Sequence, residues 1–126
     1  QAFRVGKVVT MDGDDRVINN AIVIVTDGKI TAVGRSRDVE VPPGATVIEK
    51  PQLWLVPGMV ECHNHTGGSS PDLHDYIYLT NPGLRTLEAI VPDGVEMERA
   101  RAGGVTTVLT IPGSGNNMSG FGTILK

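Results

Sequence analysis

The chain of 126 residues lacks the features that mark disulfide-rich, membrane-spanning or nucleic-acid-binding proteins. Its single cysteine, Cys62, cannot form an internal disulfide bond, which favours a reducing, cytoplasmic location. No apolar run approaches the roughly 20 residues that a membrane-spanning helix needs. The 14 acidic and 11 basic side chains include no long run of either sign. We therefore expect neither nucleic acid nor a membrane as a partner.

The composition is that of a globular protein, because 40% of the residues are apolar, which is enough to form a core. No internal repeat or low-complexity tract is present. The sequence begins at Gln1 and reads directly into a strand, without an initiator methionine or a signal-like segment. We expect the native start of the protein to lie outside this sequence.

Short strands are predicted throughout residues 3–50. The dipeptide Asp27-Gly28 separates two β-branched runs, and Asp-Gly between such runs is among the strongest short-range signals for a β-hairpin. A proline-rich break at residues 42–44 precedes another strand-length segment, ATVIE. These patterns predict an antiparallel meander, and we assign residues 1–52 to an all-β domain.

The pattern changes after residue 52. The run Leu53–Val56 is apolar without alternation and is followed by Pro57-Gly58 and a second apolar pair, which predicts a strand buried on both faces. From Thr66 to Asn81 neither a helical nor a strand period is present, so we expect a long loop with one helical turn.

A helix and a further strand are predicted after this loop. Asp93 and Glu96 resemble a capping box, and the following segment VEMERARA is rich in helix formers. Gly103-Gly104 stops the helix, and VTTVLTI then reads as a buried strand. Helix, glycine stop and buried strand form half of a parallel α/β unit, so we assign residues 53–126 to the first elements of a barrel.

Two histidines end the apolar segment LVPGMVECHNHTGG. Residues i and i+2 of a strand lie on the same face, so His63 and His65 can direct their imidazoles at one point. The alternative is a pair of surface histidines without a metal. The strand spacing, the preceding Pro-Gly and the glycine-rich exit favour a metal site.

The predicted architecture is incomplete. A β meander, a strand ending in histidines, a helix and another strand are typical of the start of a (β/α)8 barrel with an attached β domain. A complete barrel needs about 250 residues. The chain stops at Lys126 within an apolar run, so we expect it to be a piece of a larger protein.

Three segments together resemble the N-terminal part of the amidohydrolase superfamily, the imidazolonepropionase-like and dihydroorotase-like metal-dependent hydrolases. They are VVTMDGDDRVINNAIVIVTDGKITAVG, LVPGMVECHNHTGG and ARAGGVTTVLTIPGSGNN. The resemblance implies that the opening strands form part of a β-sandwich and that the H-x-H motif ends the first strand of a TIM-like barrel. The sequence departs from the usual family pattern at Glu61, where aspartate is common, and at Asn64, where threonine or alanine is frequent.

By this resemblance His63 and His65 are ligands of one or two divalent metal ions, usually zinc. All the other ligands except possibly a lysine, and the aspartate that acts as general base, would lie beyond residue 126. No catalytic residue is therefore assigned in this chain, and no organic cofactor is implied. The completed enzyme would hydrolyse a C–N bond of a small amide, cyclic amide or amidine with a metal-activated water.

Four other residues have weaker functional interpretations. His74 lies beside Asp72 and Asp75 in the irregular loop, where a solvated side chain is favoured over a substrate contact. For Cys62 ordinary packing is favoured over ligation. Glu61 can orient an imidazole or form an ordinary strand-end contact. Lys126 can be a ligand between two metals, but a surface lysine is favoured.

The glycine-rich tail is not a phosphate loop. Gly115 and Gly120 have the spacing of that motif, but Phe121 stands where its lysine is required. We interpret the tail as a substrate-holding loop at the mouth of a barrel, with a flexible connector as the alternative.

Two functions follow as hypotheses. The first is one part of a metal-dependent amidohydrolase, completed by a polypeptide that supplies the missing strands through a large apolar interface, in an oligomer that acts on a small molecule. The second is a non-catalytic binding or assembly module with a vestigial or structural histidine pair. Later histidines and an aspartate on the partner would support the enzyme.

Overall fold

A computed structural model describes residues 1–69 and 73–126 of the chain. The chain divides into two compact units, Gln1–Pro57 and Gly58–Lys126. The boundary predicted after residue 52 precedes this division. Over the described residues the secondary structure is mostly β, with one α-helix.

The first unit contains one four-stranded sheet. Its strands, in chain order, are β1 (Ala2–Val9), β2 (Val17–Thr26), β3 (Lys29–Arg35) and β4 (Val47–Leu55). Their order in the sheet is β3-β2-β1-β4. The first three strands pair antiparallel, as the predicted meander requires, whereas β4 pairs parallel to β1. The β-sandwich to which we assigned these strands stays a prediction.

The predicted hairpin is confirmed between β2 and β3. Only Asp27 and Gly28 separate the two strands, and both have positive φ angles, 51° and 73°. A two-residue turn of type I′ needs a positive φ at both positions, which glycine and aspartate tolerate better than most residues. The turn therefore follows directly from the Asp-Gly dipeptide.

The core of the first unit is centred on β2, in which four consecutive residues from Ala21 to Ile24 are buried. Because successive side chains of a strand point to opposite faces, these residues contribute to two clusters. Ala21 and Val23 belong to a cluster with Val5 and Val8. Ile22, which is fully buried, and Ile24 pack with Ala2 and the partly buried residues Ala32, Val39 and Val41.

The prediction that Leu53–Val56 is a buried strand of the second domain is wrong. Leu53 to Leu55 belong to β4, where Trp54 pairs with Lys7, and Leu53 and Trp54 are 55% and 63% exposed. A register shift at Gly6 lets β4 continue past Pro51, whose carbonyl oxygen lies 2.4 Å from where a Cβ of Gly6 would stand. The Lys7 Nζ lies 4.3 Å from the centre of the Trp54 ring and partly covers it.

A small polar network closes the turn between β1 and β2. The Arg16 guanidinium and the Thr10 hydroxyl both donate hydrogen bonds to the Asp12 carboxylate. These bonds lower the pKa of Asp12 from 3.8 to about 2. The network is exposed, so it orders the turn and contributes little to overall stability.

The second unit contains a three-stranded sheet, one α-helix and a 3-10 helix. Its elements are β5 (Met59–Asn64), the 3-10 helix (Thr86–Ala89), α1 (Val95–Ala102), β6 (Val105–Thr110) and β7 (Thr123–Leu125). The sheet order is β5-β6-β7; β5 and β6 are parallel and β7 is antiparallel to β6. The helix, glycine stop and strand predicted for residues 93–111 are confirmed as elements. The one helical turn predicted in the loop before them overlaps residues 70–72, which lie outside the described residues.

The capping box predicted at Asp93 is wrong. The helix begins at Val95, its N-cap is Gly94, and no side chain caps it. The Gly94 carbonyl instead accepts backbone hydrogen bonds from Met97 and Glu98. Glu96 and Arg99, three residues apart on the helix, form an ion pair at 3.7 Å. No helix in residues 1–69 and 73–126 is both long and apolar enough to span a membrane.

Candidate metal centre

The two predicted ligands lie where the parallel strands β5 and β6 end. His63 is within β5 and His65 follows it directly, while Ile111 follows β6. The strands pair at Asn64 and Thr110, and parallel pairing brings both carboxyl ends to the same edge of the sheet. Ligand sites of α/β proteins are commonly built at this edge.

The structure brings the two imidazoles together. The ring centres of His63 and His65 are 5.3 Å apart, and the ring planes are inclined at 85°. Two imidazoles bound to one tetrahedral ion through Zn–N bonds of about 2.0–2.1 Å would place their ring centres about 5 Å apart. The separation of the rings therefore fits a shared divalent ion.

The surroundings of His65 select the nitrogen that is available to an ion. Its Nδ1 lies 2.9 Å from the carbonyl oxygen of Ile111. Because a carbonyl oxygen only accepts, Nδ1 carries the proton and donates it, and the lone pair is on Nε2. Metal-binding histidines commonly have this arrangement, since the donated hydrogen bond fixes both the tautomer and the ring orientation.

Glu61 and Asn64 make local backbone contacts around the histidines. The Glu61 Oε1 accepts a hydrogen bond of 2.9 Å from the backbone N–H of His63. The Asn64 side-chain oxygen accepts from the backbone N–H and the hydroxyl of Thr66. Glu61 thus contacts the backbone of a ligand residue, and the orienting contact with an imidazole that we considered is absent among the hydrogen bonds of the described residues.

Two imidazoles do not complete a metal site. Within residues 1–69 and 73–126 no group of three or more histidine, cysteine, aspartate or glutamate side chains is placed to hold an ion. His63 and His65 are both exposed. A catalytic zinc site commonly has three protein ligands, so the pair would be one part of such a site.

Two threonines that sequence reasoning missed hold the segment after the histidines. The Thr110 hydroxyl, fully buried, donates a 2.8 Å hydrogen bond to the carbonyl of Thr66. The Thr86 hydroxyl is 3.1 Å from the carbonyl oxygen of Thr110 and 2.9 Å from the hydroxyl of Thr123. In the sequence these residues read as ordinary β-branched strand formers, so only their burial shows the role.

Replacing Thr110 by valine should loosen the segment that carries His65. Valine keeps the shape but removes the donor, which leaves the Thr66 carbonyl without this partner and costs about 1–3 kcal/mol of local stability. Hydrogen exchange of peptides covering residues 59–69 should become about 5- to 150-fold faster. Thr106→Val is the matched control, because Thr106 is exposed on the same strand and its effect should stay below about 0.5 kcal/mol. Equal exchange in both variants would contradict this role.

His74 is the third histidine and lies beside His65. Its ring centre is 5.5 Å from that of His65 and 5.6 Å from that of Tyr76. His74 is partly buried, and its Nδ1 is buried without a hydrogen-bond partner among the described residues. The prediction that His74 is a solvated loop residue is therefore wrong; Asp72, which we considered beside it, lies outside the described residues.

The other candidates lie apart from this arrangement. Cys62 is a free, exposed thiol, so the prediction that its side chain packs against other residues is wrong. Lys126 is exposed and follows Leu125, which pairs with Val108. Because β7 runs antiparallel to β6, the chain at Lys126 runs away from the strand end that carries His65.

The glycine-rich tail forms an ordered loop. Its backbone is hydrogen-bonded to the segment before the 3-10 helix at several points, including Asn117 N–H to Leu79 carbonyl at 2.7 Å and Phe121 N–H to Leu84 carbonyl at 2.8 Å. Asn116 donates through its side chain to the carbonyl of Asp75. The alternative of a merely flexible connector does not fit these contacts, and the role in holding substrate stays a prediction.

Comparisons with known proteins agree with the resemblance. The amidohydrolase tasK of Hapsidospora irregularis is 30% identical over 112 residues, which cover 82% of this chain and 11% of that protein. An enamidase of Eubacterium barkeri is 28% identical over 106 residues, which cover 84% of this chain and 23% of that protein. The crystal structure of an amidohydrolase from Thermotoga maritima is similar to this chain, with 26% identity and a TM-score of 0.76. The match covers 99% of this chain and 33% of the Thermotoga chain.

The chain belongs to the amidohydrolase superfamily. No family model matches it. This amidohydrolase chain spans less than a quarter of the length of the two relatives and a third of the Thermotoga chain. The matches are consistent with an N-terminal portion of an amidohydrolase.

Proposed function

We propose that this chain is one part of a metal-dependent amidohydrolase that hydrolyses a C–N bond of an amide, cyclic amide or amidine. His63 and His65 provide two ligands for a divalent ion, zinc being the usual one, and the remaining ligands and the general base lie outside the chain. The geometry of the histidine pair carries this proposal: the rings are 5.3 Å apart, and the hydrogen bond from His65 Nδ1 to Ile111 leaves Nε2 for an ion.

The proposed architecture is the start of a (β/α)8 barrel. In support, β5 and β6 are parallel and α1 lies between them in the chain, which is the connection that barrel strands have. The antiparallel strand β7 does not continue this pattern. In the proposed barrel, β7 therefore belongs to the loop region that follows β6.

A complementing polypeptide is part of the proposal. Parallel sheets are normally covered on both faces, yet Met59 and Val60 of β5 are 54% and 65% exposed, and Ile124 of β7 is 72% exposed. Covering these side chains by further strands would bury apolar surface at about 25 cal/mol per Å². We propose that the missing strands pack here and complete the site.

The residues of this chain would hold a metal ion and keep its two imidazole ligands in a fixed orientation. A bound divalent ion supplies Lewis acidity, which lowers the pKa of a coordinated water toward 7 and polarises the scissile carbon. The Ile111 carbonyl keeps the His65 ring in one orientation, and the Glu61 carboxylate holds the backbone of His63.

The test begins with the native protein and any polypeptide that co-purifies with it. Intact mass would identify the partner, and elemental analysis would give the metals per complex, for which we expect one or two. Simple amides, cyclic amides and amidines would then be assayed for C–N hydrolysis. We expect activity that a chelator removes and zinc restores; metal-bound protein that hydrolyses none of these classes would contradict the proposal.

A non-catalytic binding or assembly module is the second candidate. It is favoured by one observation, that no group of three potential ligands occurs in the described parts of the chain, residues 1–69 and 73–126. In that case the complex would contain no further histidines and aspartate near His63 and His65. The sequence of the co-purifying polypeptide decides between the two functions.

A further inference from the structure

The imidazole ring of His74 lies where it would clash with any side chain larger than that of glycine at position 113. A Cβ on Gly113 would stand 1.9 Å from Nδ1 and 2.2 Å from Cε1 of the His74 ring. The ring therefore lies directly against the Gly113 backbone, with Tyr76 and His65 at 5.6 and 5.5 Å on other sides. Three neighbours hold the imidazole of His74 in place.

The burial of Nδ1 determines which nitrogen His74 offers to a ligand. This atom is buried and no described residue accepts from it or donates to it. A proton on Nδ1 would be a buried donor without an acceptor, which native proteins avoid more strictly than an unused acceptor. The favoured tautomer therefore carries its proton on Nε2, and Nε2–H is the group left to donate.

His74 also lines a cavity of about 1070 Å³ in the second unit. Most of the lining is apolar, including Leu73, Ile77, Leu84, Ile90 and Pro112. A cavity of this size can hold a small molecule. Because His74 both lines the cavity and contacts His65, a ligand bound to His74 would lie close to the histidine pair.

The charged side chains that line this cavity are of both signs. The Asp75 carboxylate accepts hydrogen bonds from the backbone N–H groups of Ile77 and Tyr78 at 2.8 and 3.3 Å. Arg85 and Glu88, which also line the cavity, are exposed and of opposite sign. The cavity therefore offers an imidazole N–H donor in mainly apolar surroundings, which suits an uncharged carbonyl compound.

We propose that His74 is a substrate-binding residue that donates its Nε2–H to a carbonyl oxygen of an uncharged amide or cyclic amide held in this cavity. The inference rests on the proposed hydrolase function and narrows its substrate class. It gives His74 a role in binding substrate that is separate from the metal ligands His63 and His65. The amidine substrates of the broader proposal, which have no carbonyl oxygen, would lack this contact.

The first measurement is the tautomer of His74 in the native protein labelled with ¹⁵N-histidine. Long-range ¹H–¹⁵N correlation spectra distinguish a proton on Nε2 from one on Nδ1. We expect the Nε2–H form, and we expect its ¹⁵N resonance to shift when succinimide or 2-pyrrolidinone is added, but not when succinate is added. The Nδ1–H form, or no shift with either cyclic amide, would overturn the proposal.

The second measurement compares His74→Leu with His74→Gln in the same protein. Leucine removes the donor, so kcat/KM for the cyclic amide that the wild type hydrolyses best should fall about tenfold or more, while metal content is unchanged. Glutamine retains an N–H donor and should recover part of the loss. If His74→Leu folds and keeps the wild-type kcat/KM, the role of His74 is wrong although the hydrolase proposal stands.

Failure of the hydrolase proposal has a different outcome. Wild-type protein that binds metal and hydrolyses no C–N bond would contradict the proposed function irrespective of the His74 variants.

Gly113→Ala adds a check that does not remove the imidazole. The added methyl group should displace the His74 ring and lower kcat/KM as His74→Leu does. Unchanged kcat/KM in that variant would also count against the proposal.

Discussion

If His63 and His65 bind a divalent metal as proposed, we expect the His65→Ala variant of the native protein to lose it. Removing the orienting partner of a metal-bound histidine alone commonly costs about 10- to 100-fold in affinity, so removing the ligand itself should cost more than about 100-fold. The variant also loses the hydrogen bond to the carbonyl of Ile111, which directly follows β6 and orients the ring. Elemental analysis of variant and wild-type protein purified in parallel measures the effect.

Cys62→Ser is the matched control for this experiment. Cys62 is exposed on the same strand as His63 and has a side chain that binds zinc readily in other settings. We expect the serine variant to keep the wild-type metal content, because the proposed site uses the two imidazoles and not the thiol. Metal retained in His65→Ala, or lost only in Cys62→Ser, would show that the histidine pair is not the site.

The largest effect on stability should follow from Ile22→Ala in the first unit. Ile22 is fully buried in β2, against Ala2 and Ile24. Truncation of a buried isoleucine removes its transfer free energy and leaves a cavity, for a total cost of about 2–5 kcal/mol. The urea concentration at which hydrogen exchange of peptides from β1 to β3 loses protection should fall accordingly.

Ile30→Ala makes the same chemical change at an exposed position of β3. Ile30 is 68% exposed, so its truncation should cost less than about 0.5 kcal/mol. A difference in urea midpoint between the two variants therefore measures the effect of burial and not that of strand propensity. Similar urea midpoints for both would mean that the core of this unit is not centred on β2.

Elements with a strong local cause were predicted correctly from the sequence. The hairpin follows from Asp27-Gly28, because that dipeptide accepts the two positive φ angles of the turn. The helix is stopped at Gly103-Gly104, and Gly104 has a φ of 91°, which few other residues adopt. In both cases the conformational preference of one or two residues was sufficient.

Elements that depend on a distant partner were predicted wrongly. The run Leu53–Val56 reads as a buried strand, but pairing with β1 across the register shift at Gly6 makes its first three residues the end of β4. That pairing is not encoded by the spacing of nearby residues. The wrong prediction at Asp93 has a local cause, because the helix begins after Gly94 and the backbone carbonyl of Gly94 accepts its first hydrogen bonds.

The sequence by itself determined the superfamily, the hairpin and the choice of His63 and His65, since each depends on a short pattern with its own chemistry. Only the tertiary structure shows that Ile111 contacts His65 and that the His74 ring packs against Gly113, because these contacts join segments about 40 residues apart. The contact between Ile111 and His65 forms because β6 pairs with β5 as far as Asn64 and Thr110, the residues directly before them. The environment of the candidate site is therefore a property of the fold, whereas the prediction of its first two ligands comes from the sequence.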